Sequence, residues 1–280
     1  DLTTDALPEE VKALVRPLAS AVWATGERFG TIGCEIDGCT YEITTHRAET
    51  YSPDSRKPEV QFTSEIHADL SRRDFTVNAM AIEITGDQPT LIDPFDGLKD
   101  LAEGVLRTPI SPEESFSDDP LRMMRAARFI SSYSLQAVPE LRVAVQSMAD
   151  RLSIVSSERI RDELCKLVVV ADPSDGLYFL HDTGLAAHFF PELPAMRLEQ
   201  DPIHRHKDVL THTIAVVAQA PAELLVRLAA LFHDIAKPAT RAIGPNGVSF
   251  HHHEVVGARM TRERMKALKF SNEMVAQISQ

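Results

Sequence analysis

The chain has 280 residues, 44% of them hydrophobic and 25% charged, with a net charge of −12. This length favours two or three domains, and no apolar run reaches the roughly 20 residues that cross a bilayer. Three cysteines cannot all pair, which excludes a small disulfide scaffold and points to a reducing cytoplasm; the acidic balance weighs against broad nucleic-acid contact but leaves room for a local basic stripe.

In chain order, Val11, Leu14, Val15, Leu18 and Val22 recur at helical spacing, so 8–23 is predicted as a helix. Next, 31–36 and 39–45 flank Asp37-Gly38, a strong two-residue hairpin signal. With that turn, Ile36 faces Cys39, Cys34 faces Tyr41 and Ile32 faces Ile43, so one face is apolar. On the other face Gly33 sits opposite Glu42, which predicts open space beside that carboxylate. Trp23 and Phe29 are expected in the core. A polar loop is predicted over 47–58, a helix over 64–73, a strand over 79–84 and a turn over 93–97. From Asp118 onward the pattern is almost wholly helical: 118–133, 140–151, 157–170, 173–183, 185–189, and a further block from His206. The layout is α+β: a small head, 1–108, followed by helical regions 109–200 and 201–280.

Two charged stretches stand out. Arg72-Arg73-Asp74 closes a helix and caps the turn after it. Asp118 and Asp119 open another helix, on which Arg122, Arg125 and Arg128 recur every third residue and share a broad face. Three guanidinium groups on one face repel unless an anion sits among them. A triphosphate would serve; capping and surface ion pairs explain the same residues without a ligand.

Taken in order, these stretches resemble the class II tRNA nucleotidyltransferases (CCA-adding enzymes) of the poly(A) polymerase superfamily. The matching residues are Asp1, Glu42 with Arg47, Arg72 to Ala79, Asp93 to Gly97, Asp118 to Arg122, and Glu158 to Leu164. The resemblance implies a nucleotidyltransferase head of mixed sheet plus helices, then an all-α neck. It implies that Asp1 and Glu42 are catalytic acids, with Asp1 binding Mg²⁺. It further implies that Arg73, Asp74 and Asn78 bind nucleotide phosphate and ribose, that Asp119 and Arg122 read the base edge, and that Arg125 and Arg128 support the triphosphate and the base-reading pair. The segment around Asp93 to Gly97 would be a hinge, and 158–164 would brace the helix carrying Asp119. The family's glycine-rich phosphate loop and first metal Asp would lie upstream of Asp1, so the chain is expected to be truncated and inactive alone. Its reaction would add C, C and A to a tRNA 3′ end from CTP and ATP, releasing pyrophosphate. A carboxylate accepting from an amino group and a guanidinium donating to a ring nitrogen suit cytosine and adenine and reject guanine and uracil.

Further on, His212, Leu231-Phe232-His233-Asp234 and His251-His252-His253-Glu254 resemble an HD phosphohydrolase domain. That resemblance implies His212, His233 and Asp234 as direct ligands of a divalent ion such as Mn²⁺, Ni²⁺ or Mg²⁺, with His253 at a second-metal position and a last Asp beyond Gln280. Alternatives are a poly(A) polymerase of the same superfamily, an HD phosphohydrolase with an RNA-binding head, and a non-enzymatic tRNA-end-binding protein. The sequence leaves the oligomeric state open.

Overall fold

The computed structural model describes residues 2–52, 55–198, 208–244 and 247–279, leaving aside the side chains of 48–60, 244 and 247. Asp1, the expected metal-binding acid, lies outside the described residues. Contacts divide the chain into two units, Asp1–Ala102 with Arg107–Asp118, and Glu103–Leu106 with Asp119–Gln280.

The first unit is built on a four-stranded mixed sheet of β1 (Leu2–Thr4), β2 (Ala21–Trp23), β3 (Thr31–Ile36) and β4 (Cys39–Thr45), in the order β1-β4-β3-β2. β1 runs parallel to β4, while β2–β3 and β3–β4 are antiparallel. Asp37 and Gly38 take φ of 51° and 74° at the hairpin turn, the backbone that an Asp-Gly turn favours. The register pairs Ile32 with Ile43, Gly33 with Glu42, Cys34 with Tyr41 and Ile36 with Cys39.

The helix predicted over 8–23 is shorter: α1 covers Pro8–Val15. Pro8 opens it, and the Glu10 carboxylate accepts the Leu7 amide at 2.7 Å. Pro17 stops it, because a proline ring cannot continue the backbone ladder. Val11 and Val15 pack on Ile32 and Cys34 to form the core under the sheet, whereas Leu14 and Leu18 are 66% and 68% exposed. Val22 and Trp23 leave the helical pattern and pair with Cys34 and Gly33. The predicted loop over 47–58 is instead an antiparallel hairpin of β5 (Arg47–Ser52) and β6 (Ser55–Phe62). The unit is completed by α2 (Ile66–Ser71), a 3-10 turn Thr76–Asn78, the hairpin β7 (Ala81–Glu83) and β8 (Thr90–Ile92), α3 (Gly97–Glu103) and α4 (Pro112–Asp118).

The second unit is helical apart from short strand pairs. Its helices are α5 (Leu121–Tyr133), α6 (Pro139–Met148), α7 (Ser157–Val168), α8 (Ser174–Asp182), α9 (Glu192–Ala195), α10 (Val209–Gln219), α11 (Leu224–Phe232), α12 (Lys237–Thr240), α13 (His253–Ala267) and α14 (Asn272–Ile278). The expected 118–133 helix is broken at Asp119-Pro120, since a residue before proline disfavours the α conformation. α5 is central: α7 and α8 both pack on it. The helical regions expected to separate near residue 200 share one core. α10 packs on α8, and α11 on α7. The Arg264 guanidinium forks onto Glu192 at 2.9 and 3.0 Å. The Arg227 guanidinium, 2% exposed, donates to the carbonyls of Val168 and Val170 at 2.9 and 3.0 Å and of Ala220 at 3.0 Å. It collects the free carbonyls where α7 and α10 end, a placement that the helix dipole favours. No helix is long and apolar enough to cross a membrane among the described residues.

Candidate functional site

In the first unit the Arg72–Asn78 segment is organised by one acid that the sequence reading passed over. Asp69, on α2, is fully buried. It accepts from Arg72 Nη2 at 2.7 Å, Arg73 Nη2 at 3.0 Å and the Arg47 amide at 3.3 Å. Burial pushes its carboxyl up, but the charges and hydrogen bonds of Arg72 and Arg73 outweigh that and hold it below its ordinary value. Arg73 is thereby pinned, and its Nε is buried with no acceptor among the described residues. Asp74, 8% exposed, accepts from the Phe75 amide at 2.9 Å and from Asn78 Nδ2 at 3.2 Å, so Asp74 and Asn78 form one local pair. The Asp93 carboxylate caps α3 through the amides of Gly97 and Leu98 at 2.7 and 2.9 Å. A Cβ on Gly97 would meet the Thr76 carbonyl oxygen at 2.1 Å. The Asp93 to Gly97 turn therefore presses α3 against the Thr76–Asn78 turn.

Glu42 stands on the sheet face opposite α1 and is exposed. The space expected beside it is filled. Trp23 pairs with Gly33, and a Cβ on Gly33 would lie 2.0 Å from the Trp23 Nε1. The indole therefore lies flat on the glycine. Trp23 is 37% exposed and contributes to the surface rather than the core.

In the second unit Asp119 and Arg122 sit one helical turn apart at the start of α5. Asp119 Oδ1 accepts the Leu121 amide at 3.1 Å, and Arg159 Nη2 approaches Oδ2 at 3.4 Å. Arg122 is 7% exposed. Part of the repulsion expected among the arginines is met by an acid of the protein. Glu163 of α7, a buried acid, bonds Arg128 Nε at 2.7 Å and Lys166 Nζ at 3.2 Å and lies 3.9 Å from Arg125 Nη1. Arg125 and Arg128 also stand 5.6 and 4.9 Å from the Phe129 ring centroid.

The same unit brings His212, His233 and Asp234 together, their ligand atoms all within 4.8 Å of one another. His212 Nε2 and His233 Nε2 are 3.4 Å apart. Asp234 Oδ2 lies 3.0 Å from His233 Nε2 and 2.8 Å from Lys237 Nζ. Neither approach has hydrogen-bond angles, so this buried oxygen has no directed partner among the described residues. Burial raises the Asp234 carboxyl, but His233 and Lys237 overcome it and bring it down to about 2. His233 is raised, first by its contact with Asp234, and its Nδ1 is 2.6 Å from the Ala230 carbonyl. With Nδ1 on that carbonyl, Nε2 is left to face a cation. Two imidazoles and an ionised carboxylate converging within 4.8 Å fit a divalent metal. His253 stands apart from the group: its Nδ1 faces the Phe250 carbonyl at 2.9 Å and Glu254 at 3.5 Å.

Residues 1–107 match the family described as the poly(A) polymerase head domain. Residues 138–196 match the probable RNA- and SrmB-binding site of polymerase A, and 209–279 match the HD domain. The CCA-adding enzyme of Lactobacillus johnsonii is 38% identical over 198 residues, 70% of this chain and 47% of that protein. That of Levilactobacillus brevis is 41% identical over 186 residues, 66% of this chain and 45% of that protein. The chain thus spans about half the length of the curated relatives it matches. Among solved structures, the Bacillus stearothermophilus CCA-adding enzyme in complex with CTP is similar over 99% of this chain and 58% of that one, with a TM-score of 0.70 and 27% identity. The Thermotoga maritima CCA-adding enzyme complexed with tRNA shares the fold, with a TM-score of 0.55 at 21% identity over 99% of this chain and 68% of that one. The head, neck and HD matches, in that order along one chain and over the geometry above, place it in the CCA-adding tRNA nucleotidyltransferase family of the poly(A) polymerase superfamily.

Proposed function

We propose that this chain supplies the nucleotide-handling head and neck of an enzyme that adds C, C and A to the 3′ end of tRNA from CTP and ATP. The observation that carries the reading is the Asp119/Arg122 pair, a partly buried carboxylate approached by Arg159 and a buried guanidinium one turn further on. The carboxylate accepts from the amino group of C or A, and the guanidinium donates to the adjacent ring nitrogen. G and U present the reverse polarity and would leave both groups unpaired. Arg73, held by Asp69 and with Nε lacking an acceptor, takes phosphate, while the Asp74–Asn78 pair takes ribose. Arg125 and Arg128, tied to Glu163, keep α5 in place behind the base. Glu42 and Asp1 are the acids at the growing end, and Mg²⁺ bound by them would activate the 3′-hydroxyl and neutralise the departing pyrophosphate. The three cysteines are free, which suits the cytoplasm.

Incubating the full-length protein that contains this chain with tRNA ending before its CCA, and with each labelled nucleotide in turn, tests the reading; the 280-residue chain alone should add none. Incorporation of C, C and A, then arrest, is the expected result, and Asp119→Ala should erode rejection of U and G. A run of A would establish the poly(A) alternative, and equal use of all four nucleotides would sink both.

The His212–His233–Asp234 group supports a second activity at a separate place, metal-assisted phosphoester hydrolysis. A divalent ion such as Mn²⁺, Ni²⁺ or Mg²⁺ held there would lower the pKa of a bound water. Lys237, 2.8 Å from Asp234, adds a cation for an anionic ester.

A further inference from the structure

Trp23 is the only tryptophan in the chain, and its position in the sheet is unusual. β2 carries it across from Gly33, which is itself across from Glu42. The three residues thus form one row perpendicular to the strands. Neighbouring strands lie roughly 4.8 Å apart, so the indole bridges most of the gap between its own strand and the one that bears the carboxylate. Gly33 makes this possible, since a Cβ there would sit 2.0 Å from Nε1 and 2.2 Å from Cε2 of the indole. One aromatic face is seated on backbone, while the residue keeps 37% of its surface exposed. The core of this unit lies on the other side of the sheet, where Val11 and Val15 meet Ile32 and Cys34, so Trp23 is not needed to fill it.

A flat, immobilised aromatic ring beside an acid is what a nucleobase stacks on. Such stacking is tolerant of sequence because every base has a π-face. On this face the register places Thr31, Glu35, Thr40, Thr44 and Glu42 around Gly33, with Ala21 the one apolar residue, too small to recruit an apolar partner. We propose that Trp23 is the stacking platform for the last base of the RNA, placing the 3′-terminal ribose beside Glu42. This rests on the reading of Glu42 as an acid at the growing end. Trp23 holds the acceptor RNA, whereas selection of the incoming nucleotide lies with Asp119 and Arg122.

The lone tryptophan is its own reporter. The chain is titrated with an acceptor-stem RNA hairpin ending in an unpaired base, and separately with CTP, while tryptophan fluorescence is followed. Saturable quenching by the hairpin, absent with a blunt hairpin lacking the unpaired base, is expected. Trp23→Leu should weaken hairpin binding about tenfold or more and Trp23→Phe by less than about threefold, in line with the loss of one base stack. In the CCA-adding assay of the full-length protein the same Leu substitution should raise KM for RNA and leave discrimination among nucleotides unchanged. Circular dichroism melts of both variants separate lost stacking from lost fold. Equal quenching by both hairpins, quenching by CTP alone, or equal binding by Leu and Phe variants that melt like the parent would overturn the inference. Those outcomes would leave nucleotide selection by Asp119 untouched, whereas failure of that selection with quenching intact would overturn the functional reading instead.

Discussion

Replacing Glu163 by Gln removes one charge from the second unit with little change in shape. The carboxylate is 4% exposed and pairs with Arg128, itself 17% exposed, at 2.7 Å. Charge centres about 4 Å apart in an effective dielectric near 20 attract by about 4 kcal/mol. Lys166 is 60% exposed and Arg125 stands at 3.9 Å, so both add little after solvent screening. Against this gain stands the cost of burying the carboxylate, part of which Gln escapes; Gln also keeps one acceptor for Arg128. The net loss should be about 2–3 kcal/mol, or a fall in Tm of roughly 4–12 °C for a unit of this size. Differential scanning calorimetry of Glu163→Gln beside Lys166→Gln reads it directly, the lysine variant being expected within about 1 °C of the parent. A Glu163→Gln variant that melts like the parent, or a lysine variant that falls as far, would refute the claim that this buried acid holds α5 against α7. If the claim holds, the same variant should lose preference for CTP and ATP, because Arg125 and Arg128 lose the partner that fixes them.

Asp69 gives a pH signature in the first unit. Its folded value is held below the ordinary 3.8, so its contribution to stability is complete above that value and is lost as pH falls through the lower folded one. Asp69→Asn should lower stability at pH 7 and flatten the acid limb of a stability-versus-pH series, and an unchanged limb would count against the clamp. At the metal group, His233 is raised by Asp234, so protons compete with the ion. Isothermal titration with Ni²⁺ or Mn²⁺ should show affinity rising from pH 6 to pH 8, abolished by His233→Ala and largely kept by His253→Ala. Among the thiols, Cys39 is exposed, Cys34 is buried, and burial pushes Cys165 up to about 11. Iodoacetamide at pH 8 should therefore modify Cys39 first, as read by peptide mass mapping.

The β3–β4 hairpin was legible to the residue because an Asp-Gly turn and strict alternation fix a register with no freedom to slip. Trp23 was not, because Val22 and Trp23 continue a helical spacing that begins at Val11. The missing signal was Pro17, which ends α1 and releases the next residues to pair as a strand. The second strand pair was hidden for another reason: the sequence of 47–58 is mostly polar, and periodicity cannot announce a hairpin without apolar alternation. Asp69 was readable in principle, lying three and four residues before Arg72 and Arg73, the separations that meet on a helix. Glu163 reaches Arg128 across 35 positions, and Arg227 reaches Val168 across 59. Nothing local marks such pairs. An arginine on the apolar α11 reads as a surface residue until the carbonyl ends of two other helices are seen around it.

The acidity of the chain, an objection to nucleotide and RNA binding when read as a sum, changes meaning once partners are assigned. Arg72 and Arg73 share one buried acid, Asp69. Arg125, Arg128 and Lys166 share Glu163. In each cluster the basic groups outnumber the one buried acid they share, within a chain of net charge −12. The buried acids serve less to neutralise than to aim. A free arginine surrenders considerable rotamer entropy when it grips a phosphate, whereas Arg73 has already surrendered it to Asp69. What such a site gives up in field strength it recovers in order, since groups fixed before the ligand arrives need not be ordered by it. On the proposed reading of Asp119 and Arg122, discrimination between bases rests on that order more than on charge: a carboxylate and a guanidinium free to swing could satisfy uracil or guanine by exchanging places, and a pair held in place could not.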